Sequence, residues 1–301
     1  MPLANSYKIS SGTFLDFGLA RMLLQNLTIV GVGLIGGAIG LAAKKRGIVR
    51  RVVGVGRDLG RLEEARRLGA IDESVLDLAA GVRTADLVVF ATPVDRIAEQ
   101  ILDAAASCQA GALITDAGST KGAIVQAIAA RLPAHVQFVG GHPLAGSEKK
   151  GVEHAHADLF VNRWTVLTPT DKTSADALQR VSAFWQALGS RVRLMTPVEH
   201  DRALAMTSHL PHLLAAALAG ILSSDWTELA ATGFRDTTRI AGGDPTLWTP
   251  IFEHNRAAVL AALDQLEDRL CAFRQALVSG DASMIDQLLT QGKRMRDALA
   301  S

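Results

Sequence analysis

The sequence predicts an α/β half followed by an all-α half, and three observations carry that prediction. The first is the stretch from Leu27 to Leu41: an apolar, β-branched run Leu-Thr-Ile-Val, then Gly31-Val32-Gly33-Leu34-Ile35-Gly36-Gly37, then an Ala-rich helical segment. The second is the return of short apolar runs, most ending in Gly, Pro or a polar turn and leading into a helical segment, as far as Met195. The third is Thr196-Pro197-Val198-Glu199-His200, after which almost everything reads as helix. Strands buried on both faces and alternating with helices belong to parallel sheets. Glycines spaced Gly-x-Gly-x-x-Gly between a strand and a helix make a tight turn that lets a pyrophosphate approach, with the helix N–H groups pointed at it. The expected architecture is therefore an α/β Rossmann-type nucleotide-binding domain over residues 25–196 and an all-α domain over residues 197–301.

Composition narrows the function. With 301 residues, 49% of them hydrophobic, the chain has material for two cores. A formal charge of +1, with the charges dispersed, argues against a nucleic-acid surface. Two cysteines, Cys108 and Cys271, suggest no disulfide framework and a reducing, cytoplasmic setting. The longest apolar run, Leu27 to Ala43, is interrupted by five glycines, so neither a transmembrane helix nor a membrane partner is expected. Residues 1–24 lack a basic segment followed by a clean apolar core, and no signal peptide is read there.

After the first helix, Lys44-Lys45-Arg46-Gly47 is a helix-end signal, and Arg51 to Val55 is the second strand. Dinucleotide folds usually carry an acid at this strand's end, for the adenosine ribose hydroxyls. Here Gly56 stands in that place and Arg57 follows, which suits a 2′-phosphate and favours NADP over NAD. Asp58, one or two positions late, stays open as a ribose ligand. A charged helix spans Leu59 to Leu68, and the strand Ala85 to Ala91 ends at Thr92-Pro93-Val94, where the proline stops pairing. Ligands of doubly wound sheets sit outside the strands' carboxyl ends. Gly31, Gly33, Leu34, Ile35, Gly36, Arg57, Thr92 and Pro93 thus form the expected cofactor-binding set.

A helix through Ala106 and a strand from Ala112 to Thr115 lead into Asp116-Ala117-Gly118-Ser119-Thr120-Lys121, again at a strand's carboxyl end. Ser119 and Lys121 can reach a ligand from there, and the same segment can cap the helix that follows, through Leu132. The strand Val136 to Gly140 delivers His142, beside glycines and before Pro143, on a short stiff loop at the site face; it is the candidate catalytic base. His154, His156 and Asp158 alternate like metal ligands but lack a further donor, so a solvated loop and no metal are expected. Trp164 to Thr168 and Arg191 to Met195 read as strands flanking a helix from Ala175 to Leu188.

The helical half reads as Ala203 to Leu222, Leu247 to Val278 and Ala282 to Ala298. It has too many apolar positions for a solvated bundle, so a homodimer built on it is expected. Two polar clusters stand out: Ser208-His209-Leu210-Pro211-His212, whose histidines can share a helix face, and Phe234-Arg235-Asp236-Thr237-Thr238-Arg239, followed by Asp244-Pro245 and Trp248. An arginine in a site loop implies an anionic substrate, since its fork pairs with a carboxylate.

Over residues 25 to about 255 the chain resembles the prephenate and arogenate dehydrogenases of tyrosine biosynthesis. The resemblance rests on Gly-Val-Gly-Leu-Ile-Gly-Gly at 31–37, Asp-Ala-Gly-Ser-Thr-Lys at 116–121, Gly-Gly-His-Pro-Leu-Ala-Gly-Ser-Glu at 140–148, Ser-His-Leu-Pro-His at 208–212 and Asp-Thr-Thr-Arg-Ile-Ala at 236–241. It implies a helical dimerisation domain and the oxidative decarboxylation of prephenate to 4-hydroxyphenylpyruvate, or of arogenate to tyrosine, with NAD or NADP taking the hydride. It also implies that His142 takes the ring-hydroxyl proton and that Ser119 hydrogen-bonds the same hydroxyl. Ser208 and His212 would line the substrate pocket, Arg239 would pair with a substrate carboxylate, and Glu148, Asp236 and Trp248 would shape the pocket mouth. The departure lies at Gly56-Arg57, where many NAD-using members carry an Asp. Competing readings are a β-hydroxyacid dehydrogenase, which would need a Lys where His209 and His212 stand, and an NADP-sensing regulatory protein, which would not need His142, Ser119 and Arg239 to converge.

Overall fold

The computed structural model describes residues 24–146 and 149–299. The segment 1–23, read above as lacking a signal peptide, and Glu148, expected at the pocket mouth, lie outside the described residues.

In chain order the first half runs β1 (Leu24–Val30), α1 (Leu34–Lys45), β2 (Val49–Val55), α2 (Leu59–Arg67), β3 (Glu73–Val75), α3 (Leu78–Val82), β4 (Leu87–Phe90) and α4 (Val94–Ala105). It continues with β5 (Leu113–Asp116), α5 (Gly122–Ile128), β6 (Gln137–Pro143), β7 (Trp164–Thr168), α6 (Ala175–Ala187) and β8 (Arg191–Leu194). The sheet order is β3-β2-β1-β4-β5-β6-β7-β8, parallel through β6, with β7 antiparallel to β6 and β8 parallel to β7. The strand order turns between β1 and β4, which opens the ligand crevice at their carboxyl ends. All four residues of β4, Leu-Val-Val-Phe, are buried because helices cover both faces. One core cluster joins α1 and α6 to the sheet, and a second joins α4 and α5 to it.

The elements β3 and α3 were not expected from the sequence. At three and five residues they are too short for a period to show. The strand β6 runs three residues further than expected, so His142 sits in a strand and pairs across to Val166 of β7 instead of lying on a loop. The loop after it is not simply solvated. Val152 and Phe160 are buried, and Asp158 pairs with Lys45 at 2.6 Å and Arg46 at 3.2 Å.

The helical half comprises α7 (Pro197–Leu204), α8 (Leu210–Gly220), α9 (Thr232–Thr238), α10 (Pro245–His254), α11 (Arg256–Ser279) and α12 (Ala282–Ala298). A capping box sets the start of α7: Glu199 N–H donates to Thr196 Oγ1 at 3.1 Å, and Thr196 N–H donates to Glu199 Oε2 at 2.8 Å. One π-helical turn, Ala205–His209, joins α7 to α8. The helix expected over Leu247 to Val278 breaks at Asn255, which leaves helical geometry and turns its buried side chain toward α7. By length and composition alone, Pro197–Gly220 is long and apolar enough to cross a membrane, at mean hydropathy 1.2. Its buried positions nevertheless include His200, Asp201, His209 and His212, which bond or stack with neighbouring elements of the protein.

The two halves meet in several places. Ile251 of α10 belongs to the core cluster of α4 and α5, and Trp248 packs against that cluster. Within the helical half the buried cluster is small, Ala205, Leu210, Val259 and Ala262. Along α11 and α12, Leu260, Leu270, Leu277, Leu289 and Met295 are exposed.

Candidate active site

The turn after β1 is shaped for a dinucleotide. Gly31 has φ +91°, and a Cβ there would come 2.7 Å from Thr92 Cγ2 and 2.9 Å from the Ala91 backbone, so β1 and β4 close together only over a glycine. At Gly36 a Cβ would meet Gly31 O at 2.1 Å, whereas one at Gly33 would stand in open space. The first turn of α1 has no side-chain cap and no acidic residue, which leaves its N-terminal N–H groups for an external anion. Leu34 and Ile35, in that turn, are half-buried. Thr92 hydrogen-bonds Gln100 at 2.5 Å, and Pro93 precedes α4 at the same rim. Arg57 is exposed beyond β2, and Asp58 is engaged as the N-cap of α2, accepting from Arg61 N–H at 3.1 Å. These residues fit a nicotinamide dinucleotide.

At the ends of β5 and β6 lies a buried polar network. Asp116 accepts from Gly118 N–H at 2.9 Å, from Gly141 N–H at 3.0 Å and from Lys121 Nζ, which also donates to Gly141 O at 2.8 Å. Both charged side chains are fully buried, and each answers the other's desolvation. Burial pushes the Lys121 ammonium down, while Asp116 opposes the shift. Asp116 thus locks two strand ends together and does not cap α5. The cap comes from the other half of the chain: Asp201 of α7 accepts from Lys121 N–H and Gly122 N–H, both at 2.8 Å. Ser119 lies in the turn between them, half-buried, its hydroxyl without a partner among the described residues.

His142 reaches the same place from β6. Its Nδ1 lies 2.8 Å from His200 Nε2, and His200 Nδ1 lies 2.8 Å from Asp201 Oδ1. Burial holds His142 well below the usual histidine range, and the neighbouring His200, Lys121 and His209 push the same way. Burial also lowers His200, with the Asp201 hydrogen bond working against it. Burial raises Asp201, but its bonds from His200, Lys121 N–H and Gly122 N–H outweigh this and hold the carboxyl below its ordinary range. The centre is therefore neutral imidazole beside a firmly ionised carboxylate.

The wall of the site comes from α8 and α10. On an unbroken α-helix His200 and His209 would face opposite ways, but the wider π turn lets both be buried. Asn255 Nδ2 donates to Asp201 O at 2.8 Å and to His209 Nδ1 at 3.0 Å, and burial pushes His209 down to about 4. His212 stacks on Trp248, and the edge of His209 meets the same indole at 6.2 Å. Ser208 is half-buried in the π turn. Arg239 opens the 3-10 turn Arg239–Gly242, which packs against α8; Arg239 and Asp236 are exposed. Lys150, from the loop after β6, pairs with Asp244, the N-cap of α10.

The residues that sequence reasoning missed are His200, Asp201 and Asn255. The only available signal was His200-Asp201 directly after a capping box, which marks a helix start and says nothing about which neighbour the helix faces.

A doubly wound sheet with a glycine turn at its switch point, and a histidine centre closed by a helical second half, defines a two-domain nicotinamide-dependent oxidoreductase. The family is more particular. A model described as the nucleotide-binding domain of prephenate dehydrogenase matches residues 39–194, and one described as its dimerization domain matches residues 196–291. The chain belongs to the prephenate dehydrogenase family. It is 35% identical over 284 residues to a prephenate dehydrogenase of Bacillus subtilis, covering 91% of this chain and 76% of that one. It is 32% identical to a cyclohexadienyl dehydrogenase of Zymomonas mobilis, covering 91% of this chain and 96% of that one. A crystal structure of prephenate dehydrogenase from A. aeolicus, in complex with hydroxyphenyl propionate and NAD+, superposes with a TM-score of 0.83 at 32% identity, covering 90% of this chain and 98% of that one.

Proposed function

We propose that this protein converts prephenate to 4-hydroxyphenylpyruvate and CO2, passing a hydride to NADP in preference to NAD. The observation that carries the reading is His142, a neutral imidazole at the carboxyl end of β6, on the same edge of the sheet as the glycine turn that would hold a dinucleotide and two strands from the switch point. When bound, the nicotinamide accepts the hydride from the ring carbon that bears the hydroxyl.

His142 takes the hydroxyl proton as that C–H bond breaks, a task suited to an imidazole that is neutral at cellular pH. Ser119, half-buried in the turn before α5, orients the same oxygen. Loss of the ring carboxylate as CO2 leaves its electron pair in the ring, which becomes aromatic, and His142 returns the proton to the phenolate oxygen. Arg239 pairs with a substrate carboxylate, Ser208 and His212 line the pocket, and Asp236 stands at its mouth with Trp248. The protein's own contribution is position and charge. The preference for NADP rests on Gly56 and Arg57, together with Asp58 being committed to its helix cap.

The domain boundary falls between β8 and α7, and the exposed apolar residues of α11 and α12 pair with those of a second copy, which light scattering reads as twice the 31.8 kDa chain mass. Four assays, of prephenate and arogenate each with NAD and NADP, followed at the absorbance of the reduced nicotinamide, test the function. Turnover of prephenate with NADP is the expected result; no reduction with either substrate overturns it. The reading places the protein in the cytoplasm.

A further inference from the structure

His142 has two ring nitrogens, and only the one carrying a lone pair can act as a base. The chain of contacts behind it decides which. Asp201 is ionised and can only accept, so His200 Nδ1, 2.8 Å away, carries a hydrogen. The neutral His200 ring then presents a lone pair at Nε2, which faces His142 Nδ1 at 2.8 Å. His142 Nδ1 must therefore carry its hydrogen, and Nε2 is left as the bare nitrogen. The carboxylate that starts this sequence is fixed independently by two backbone N–H groups at the start of α5.

We infer that His200 and Asp201 are positioning residues that hold His142 in its Nδ1–H form, so that Nε2 is the nitrogen that takes and returns the substrate proton. The inference rests on the reading of His142 as the base. When His142 becomes an imidazolium, its Nδ1–H points along His200 to an anion already in place. His200 is fully buried, so the proton has no exit to water on that side. It stays in the pair of rings until the phenolate oxygen reclaims it. No atom or charge is lost between the two steps. The charged and titratable groups facing the pair are Asp201, Lys121, Asp116 and His209.

The variant Asp201→Asn tests this. Its neutral amide removes the anion behind His200 and cannot accept at both positions; with the nitrogen at the Oδ1 position it donates to His200 Nδ1, puts the hydrogen on His200 Nε2, and reverses the His142 tautomer. Expected are a fall in kcat on the order of 10²–10⁴-fold, little change in KM and in the dinucleotide Kd, and a switch of the His142 ¹⁵N resonances from the Nδ1–H to the Nε2–H pattern. If Asp201→Asn binds dinucleotide normally, keeps its kcat within about threefold and shows no tautomer switch, the inference is wrong. Should that variant lose its fold with the α5 cap, the pair His200→Gln and His200→Phe decides. The Gln carbonyl can still accept from His142 Nδ1 and should retain at least tenfold more kcat than the Phe variant; equal rates in the two overturn the inference. His142→Asn separates the layers. If it leaves kcat intact, the base assignment itself falls; if it slows turnover while Asp201→Asn does not, only the relay falls.

Discussion

His212 lies flat against Trp248, with ring centroids 3.6 Å apart and planes 11° from parallel. Gly243 presses on both: a Cβ there would come 2.7 Å from Trp248 Nε1 and 2.8 Å from His212 Cε1. Among the described residues the buried His212 Nδ1 atom has no partner, so the tautomer with hydrogen on Nε2 avoids stranding a donor. A stacked pair of this kind is worth about 0.5–1.5 kcal/mol, and Trp248→Leu, which frees the imidazole to swing, should raise KM for prephenate about 3- to 10-fold with kcat less affected. Steady-state kinetics check this, and an unchanged KM would remove the stack from the substrate pocket.

The base and the anion clamp should respond differently. His142→Asn should lower kcat by about 10²–10⁴-fold with KM little changed, because its proton transfer belongs to the transition state. Arg239 is exposed, and its assigned partner is a carboxylate present before reaction begins. Arg239→Ala should therefore mainly raise KM, consistent with loss of a charge-assisted pair of roughly 2–5 kcal/mol. A His142 variant that raises KM and keeps its kcat would make His142 a binding residue.

Nucleotide preference should follow Gly56 and Arg57. Unmodified protein is expected to show a higher kcat/KM with NADP than with NAD, and Gly56→Asp should move the ratio toward NAD by repelling the 2′-phosphate. A Cβ at Gly56 would meet Leu62 Cδ2 at 3.3 Å, a contact that a small shift of the flexible leucine relieves. A native preference for NAD would return the ribose to Asp58.

Acid should loosen the fold through the buried imidazoles. His142, His200, His209 and His212 are all lowered from 6.5, first by burial, so the unfolded chain binds protons that the folded chain resists. Their neutral forms support the fold fully above the unfolded pKa. For His209 that support fades from about pH 6.5 and is gone below about 4. Thermal unfolding between pH 7 and 4.5 should show a falling Tm, less steep in His209→Gln; parallel curves would count against the assignment.

How much of this was legible in the sequence depended on range. The glycine turn, the long strands and helices and His142 are local signals, each readable from its own neighbours. The first residue of a strand, the three-residue β3 and the break at Asn255 depend on packing that no local period records. Asp116 looked like a cap because it precedes a helix, yet its carboxylate turned to Lys121 and Gly141, and the cap arrived from Asp201, 80 residues away from Lys121. His200 was invisible as a site residue for the same reason: its contact with His142 exists only once α7 folds back against the end of β6.

That junction also bears on how the cleft can breathe. The two halves are fastened at the floor by one buried carboxylate of α7 gripping two amides at the start of α5, bonds whose rupture would strand a charge at a cost of several kcal/mol. At the rim they are joined by Lys150 and Asp244, an ion pair whose lysine is two-thirds exposed, worth about 1 kcal/mol or less. The floor is thus the hinge and the rim the clasp. Salt, which weakens the clasp and leaves the hinge alone, should quicken product escape, a rise in off-rate that stopped-flow displacement can follow from low to moderate ionic strength.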